Sequence, residues 1–150
     1  MKNLLLILCS LFLFSCTAGS EEETNEADKA KLLSKRVLSD NSADAIRLDN
    51  CSKSAKSAEK AHKYAKRSQH AENFEDIRDN AREAISEFED ARKYADKCGC
   101  KKAYRVANDG VNYAKQAYRS GNIQHAQAYA RDAKNTADEL VSEANRCSYN

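Results

Sequence analysis

Proline is absent from these 150 residues and only four are glycine. Those two residue types punctuate chains into strands and tight turns, so their scarcity points away from a turn-rich β fold. Four glycines also leave no phosphate-cradling loop, and there is no CxxCH haem signature and no inward carboxylate set of the di-iron kind. Charge of one sign is missing as well. Lys and Arg number 25 against 23 Asp and Glu, a formal net charge of +2, so no global field argues for nucleic acid. Long apolar runs are confined to Met1–Ser15, which is too short to span a bilayer and reads as a secretion signal.

What the chain has is alanine, lysine, glutamate and arginine, the residues of helices, in a length that suits one small domain. It also has cysteines at telling intervals. Past Cys16 come Cys51, Cys98, Cys100 and Cys147, with 47 residues separating the first two and again the last two. A unit repeated with an offset of 49 places Tyr64-Ala65-Lys66 on Tyr113-Ala114-Lys115, Asn73 on Asn122 and Ala81-Arg82 on Ala130-Arg131.

Each unit divides into two helices around a polar break, Gln69–Glu72 in the first and Ser120-Gly121 in the second, with Gly121 expected as a left-handed C-terminal cap. Apolar positions step by three and four: Cys51, Ser54, Ala58, Ala61, Ala65, Ser68, then Phe74, Ile77, Ala81, Ala84, Phe88, Ala91, Ala95, Cys98. The second unit repeats the pattern from Cys100 to Ala117 and from Ile123 to Cys147. Facing positions in an antiparallel hairpin keep a constant index sum. A sum of 149 pairs Ser54 with Ala95, Ala61 with Phe88 and Ser68 with Ala81; a sum of 247 pairs Ala107 with Leu140 and Gly110 with Ala137. Every pair joins seam to seam. The fold predicted is an all-α antiparallel bundle of two duplicated hairpins, residues 51–98 and 100–147, each stapled by a disulfide, Cys51–Cys98 and Cys100–Cys147. Residues 27–48 are expected to add a short separate helix, docked through Ala30, Leu33 and Val37.

An alanine seam buries little area and stabilises less than a leucine core, so a disulfide over a loop of this length, worth about 4 kcal/mol, matters. Two rival readings use the same sulphurs. A Cys98–Cys100 bond would make Cys-Gly-Cys a redox motif, its thiolate favoured by Lys97, Lys101 or Lys102. Four thiolates could instead hold zinc, although one residue between the central ligands is unusual spacing.

The sequence Leu13-Phe14-Ser15-Cys16 resembles the lipobox of bacterial lipoproteins. That resemblance implies a signal peptide over 1–15, cleavage before Cys16 and acylation of its thiol and new amino terminus, palmitate included. Buried methylenes contribute about 0.8 kcal/mol each, so several acyl chains hold a bilayer firmly. Residues 16–26 read as a flexible acidic tether. Within it Gly19-Ser20-Glu21-Glu22-Glu23 is similar to the acidic signal that sends some Bacteroidota lipoproteins to the cell surface, and Thr17 in place of an aspartate leans the address toward the outer membrane.

The basic run Lys53, Lys56, Lys60, Lys63, Lys66, Arg67 lies in one helix and an acidic run in the next, an arrangement in which the two neutralise each other; contact with anionic lipid or polysaccharide is the other use of such a run. Tyr104, Val111 and Tyr118 form a sevenfold stripe that either packs hairpin on hairpin or offers an interaction face. His70 and His125 fall at the loop end near acidic residues, weak candidates for a transition metal, and no histidine stands beside a nucleophile as a catalytic base. The run Ala114–Ala133 resembles a tetratricopeptide hairpin, but a repeat of 49 without proline departs from that family. The function expected is a non-catalytic, membrane-anchored envelope module without cofactor, whose partners are the bilayer and an unidentified protein or envelope polymer. Thiol redox or metal binding at the cysteine end, and an inhibitor or immunity role toward an exported partner, are the alternatives.

Overall fold

The computed structural model describes the backbone of residues 26–149, and side chains at residue 31 and from residue 42 onward. Four helices account for these described residues: α1 Glu26–His70, α2 Phe74–Lys97, α3 Lys101–Arg119 and α4 Ile123–Ser148. The chain divides into two units, Met1–Lys35 and Arg36–Asn150. Only the first turns of α1 are described in the former, and everything below concerns the latter. Among the described residues no helix is long and apolar enough to cross a membrane. Cys16 and the tether lie outside the described residues, as do the side chains of Ala30, Leu33 and Val37.

The separate helix expected over 27–48 is part of α1, which runs unbroken into the first hairpin. Asp49 and Asn50, which could have capped a new start at Cys51, bond along the helix instead. Asp49 pairs with Lys53 at 2.6 Å, and Asn50 Nδ2 donates to the Ile46 carbonyl at 2.9 Å. No proline or glycine interrupts the stretch.

The four helices form an up-down-up-down bundle. α2 packs along α3, and α3 along α4. Serine hydroxyls tie α1 to α2: Ser54 donates to the Ala91 carbonyl and Ser68 to the Ile77 carbonyl, both at 2.9 Å and both buried. These two bonds share one index sum, so the register holds without slip over about four turns. A carbonyl points one turn toward the helix C-terminus, which puts Ser54 beside Ala95 as the sequence register requires. On the other side, His62 Nε2 of α1 lies 3.4 Å from Asp138 of α4.

Alanines make most of the core, with Phe88, Ile77 and Leu140 as its largest fully buried members. Phe88 occupies a place the hairpin register does not reveal. Its ring rests on Gly110 of α3, across the boundary between hairpins, and a methyl group at Gly110 would overlap it. Gly110 thus supplies the hollow that lets the one phenylalanine of the core fit a seam otherwise sized for alanine.

Both loops end in the same device. Asn73 and Asn122 cap α2 and α4, their Oδ1 atoms accepting from the backbone N–H of Asp76 at 2.9 Å and His125 at 3.0 Å. Gly121 is not the left-handed cap expected of it. Ser120 ends α3 in extended backbone, and its hydroxyl accepts from the Asn122 N–H at 3.3 Å, so the turn needs no positive φ. Among the described residues Gly99 alone has one, at 74°. The mutual neutralisation of α1 and α2 is also smaller than expected: among the described residues the two helices meet in one ion pair, Lys60 with Glu87 at 3.4 Å.

Candidate functional site

The four sulphurs meet at one end of the bundle, around the α2–α3 turn. That turn is a Schellman motif. The Gly99 N–H donates to Asp96 O and the Cys100 N–H to Ala95 O, each at 2.9 Å, while Gly99 takes the left-handed conformation that closes both bonds. Reversal within three residues sends Cys98 back along α2 and Cys100 into the start of α3, so the two neighbours in KCGCK acquire different partners.

Cys100 is bonded to Cys147, with Cα atoms 6.0 Å apart. This pair matches the expected staple of the second hairpin. The staple expected in the first is not closed: Cys51 and Cys98 are thiols, both buried, and hydrogen-bonded to each other. Burial first, and then the bond to Cys51, push the Cys98 thiol up to about 11. It therefore stays protonated through neutral pH, the opposite of what an attacking thiolate needs. Two of the three lysines that could have favoured a thiolate are directed elsewhere. Lys102 pairs with Glu143 at 2.8 Å, and the Lys97 ammonium lies 5.9 Å from the Tyr94 ring centroid.

Sequence reasoning missed Glu143 because a glutamate late in an exposed-looking helix carries no signal of burial. It is only 5% exposed, and its Oε1 accepts from Lys102 and lies 3.2 Å from Arg146. The hydrogen bond from Lys102 holds its carboxyl below the usual carboxylate range, with Arg146 adding to the effect and burial opposing it. Close by, Arg47 of α1 donates to the Cys147 carbonyl at 3.2 Å, which ties α1 to the end of α4. Disulfide, ion triplet and arginine together fasten the last turns of the bundle.

The tyrosine stripe divides along its length. Val111 is core at 2% exposure, so it cannot join an interaction face. Tyr118 is half-buried against Ala81, Ala117 and Ala130, with the Arg82 guanidinium 5.6 Å from its ring centroid. Tyr104 is exposed and lines a cleft of about 370 Å³ beside the Schellman turn, together with Ala95, Asp96, Gly99, Cys100, Lys101 and Arg105. The packing role thus falls to Val111 and Tyr118, and the exposed role to Tyr104.

His70 and His125 are exposed at the opposite end. Among the described residues no three His, Cys, Asp or Glu side chains gather closely enough to hold a metal ion, so these two are not brought into a ligand set. The cysteines offer no four-thiolate site either, since two of them form the disulfide.

No protein-family model, curated protein or solved structure matches the chain. The chemistry available at the cysteine end rests on its residues alone: a closed disulfide, a protonated thiol pair, and the exposed Tyr104 beside Lys101, Arg105 and Asp96. That set fastens helices and presents a small surface.

Proposed function

We propose that the chain is a lipid-anchored, non-catalytic binding module of the cell envelope, held on the outer membrane by acyl chains on Cys16. The observation that carries the reading is the Cys100–Cys147 disulfide in a chain that opens with a lipobox-like Leu13-Phe14-Ser15-Cys16. Disulfides persist in oxidising compartments, which fits an exported protein. An alanine-lined bundle that needs a covalent fastening suits a rigid scaffold better than a moving one. Its partners are the bilayer, through Cys16, and one protein or envelope polymer, recognised on the exposed helical surface.

The test is direct. Full-length protein expressed in its host is expected to partition into detergent, to incorporate a palmitate analogue and to lose both properties in Cys16→Ser. A mature protein that is cleaved at another position and stays in the aqueous phase would overturn the anchor. Non-reducing peptide mapping of the same material is expected to give a Cys100–Cys147 peptide, and a Cys98–Cys100 peptide would favour redox chemistry instead.

A further inference from the structure

A second surface lies on α1, away from the cysteines. His62, Lys63, Lys66, Arg67 and His70 line a shallow depression of about 440 Å³ on one face of the helix. Few of these charges are used by the fold. His62 meets Asp138, and the Arg67 guanidinium lies over the Tyr64 ring at 5.8 Å, but Lys63 and Lys66 form no ion pair among the described residues.

The duplication supplies an internal control. Under the offset of 49 the five positions become Val111, Asn112, Lys115, Gln116 and Arg119. The second copy carries two formal cations there against three in the first, and one of the two, Lys115, is engaged with Glu89 at 3.3 Å. A helix at this place in the hairpin therefore forms with the neutral amides Asn112 and Gln116 in place of Lys63 and Arg67. Carrying unpaired like charges at spacings of three and four costs a helix stability, so an outside anion is the physical counterpart of the strip.

We propose that this face of α1 binds an acidic polysaccharide. Lys63, Lys66 and Arg67 lie within about 6 Å along the helix axis, close enough together for one short stretch of a chain that carries one carboxylate per sugar to meet all three. Anionic lipid headgroups share the charge but not the placement. The strip starts eleven residues past Cys51, about 16 Å up the helix, on the half of α1 that leads away from the end where the chain enters the bundle. Such binding rests on the reading of the protein as an envelope binding module, and it gives one surface of that module its ligand class.

The experiment uses the full-length lipoprotein in neutral detergent, with polygalacturonate as one probe and vesicles containing an anionic phospholipid as the other. Polygalacturonate is expected to bind, with affinity falling as salt rises. The variant Lys63→Glu/Lys66→Glu/Arg67→Glu is expected to bind it about tenfold more weakly or worse, because each exposed charge contributes modestly and three are reversed. Arg119→Glu/Arg131→Glu, on the other hairpin, is expected to bind as the parent does. Thermal melting of all three proteins checks that the fold is kept. Binding of vesicles but not of polygalacturonate overturns the proposal, as does polygalacturonate binding that the triple reversal leaves unchanged. Neither result touches the lipid anchor, which the Cys16→Ser experiment tests separately.

Discussion

The two hairpins are copies in sequence, yet they are fastened differently. In the first, Ser54 and Ser68 donate hydroxyl bonds across the seam and Cys51 meets Cys98 as thiols. In the second, Ala103 and Ala117 stand where those serines stood, Leu140 stands in place of Ala91, and Cys100 is covalently joined to Cys147. Hydroxyl bonds and a thiol pair mark one copy, which also carries the large core side chains Phe88 and Ile77, and a disulfide with Leu140 marks the other. The contrast teaches that an alanine seam fixes how closely helices approach, while leaving open which interaction keeps them there.

That contrast can be broken most severely at the disulfide. Cys100→Ser/Cys147→Ser is expected to cost about 4 kcal/mol, from the chain entropy restored to the unfolded state. Cys51→Ser/Cys98→Ser is expected to cost about half of that or less, since no covalent link is lost. Chemical denaturation of the two double variants beside the parent measures the difference. Equal losses would show that the first hairpin is closed covalently as well.

Next comes the contact between hairpins. Phe88→Ala is expected to cost about 3 kcal/mol by opening a cavity, near the lower end for a phenylalanine because its neighbours are small. Gly110→Ala, which forces a methyl into the ring, is expected to cost about 1–3 kcal/mol. Ala61→Gly, at the equivalent of Gly110 in the first copy, offers a comparison without overlap, with an expected loss of about 1 kcal/mol from helix propensity. The same denaturation series ranks the three, and a Gly110→Ala protein as stable as the parent would mean that the Phe88 ring has another place to go.

The smallest effect is electrostatic. Glu143 has a carboxyl pKa lowered in the folded state, so the stability it adds is present above the carboxylate's unfolded value and is lost as pH falls through the lower, folded one. Melting temperature against pH is expected to fall more steeply on the acid side for the parent than for Glu143→Gln, and parallel curves would remove Glu143 from the fastening. The first hairpin has no such element: its equivalent residue is Tyr94.

Much of this architecture is legible in the amino-acid sequence. The helical class, the hairpin register and the partner of Cys100 follow from spacing, because a small-residue seam with a period of three and four admits one way of facing its neighbour. Gly99 is legible for the same reason: two cysteines that must point to different helices need a reversal between them, and glycine reverses at no steric cost. The extent of α1 is not legible, since Asp49 and Asn50 can cap a helix or bond along one, and sequence does not choose between them. Nor is the fate of the tyrosine stripe, because exposure along a helix depends on how its neighbours are rotated against it.

The sequence by itself determined the helical class, the order of the hairpin helices and the seam each hairpin closes on, all properties of residues near one another in the chain or tied by a repeating period. Tertiary structure alone decided what happens between hairpins and at their ends. Phe88 found its hollow at Gly110, Glu143 was buried between Lys102 and Arg146, and Cys98 was left a protonated thiol beside Cys51. The physical reason is common to all three. Overlap of a ring with a missing side chain, removal of a carboxylate from water and the desolvation of a thiol depend on how neighbouring helices pack around each group, and a linear period does not encode that.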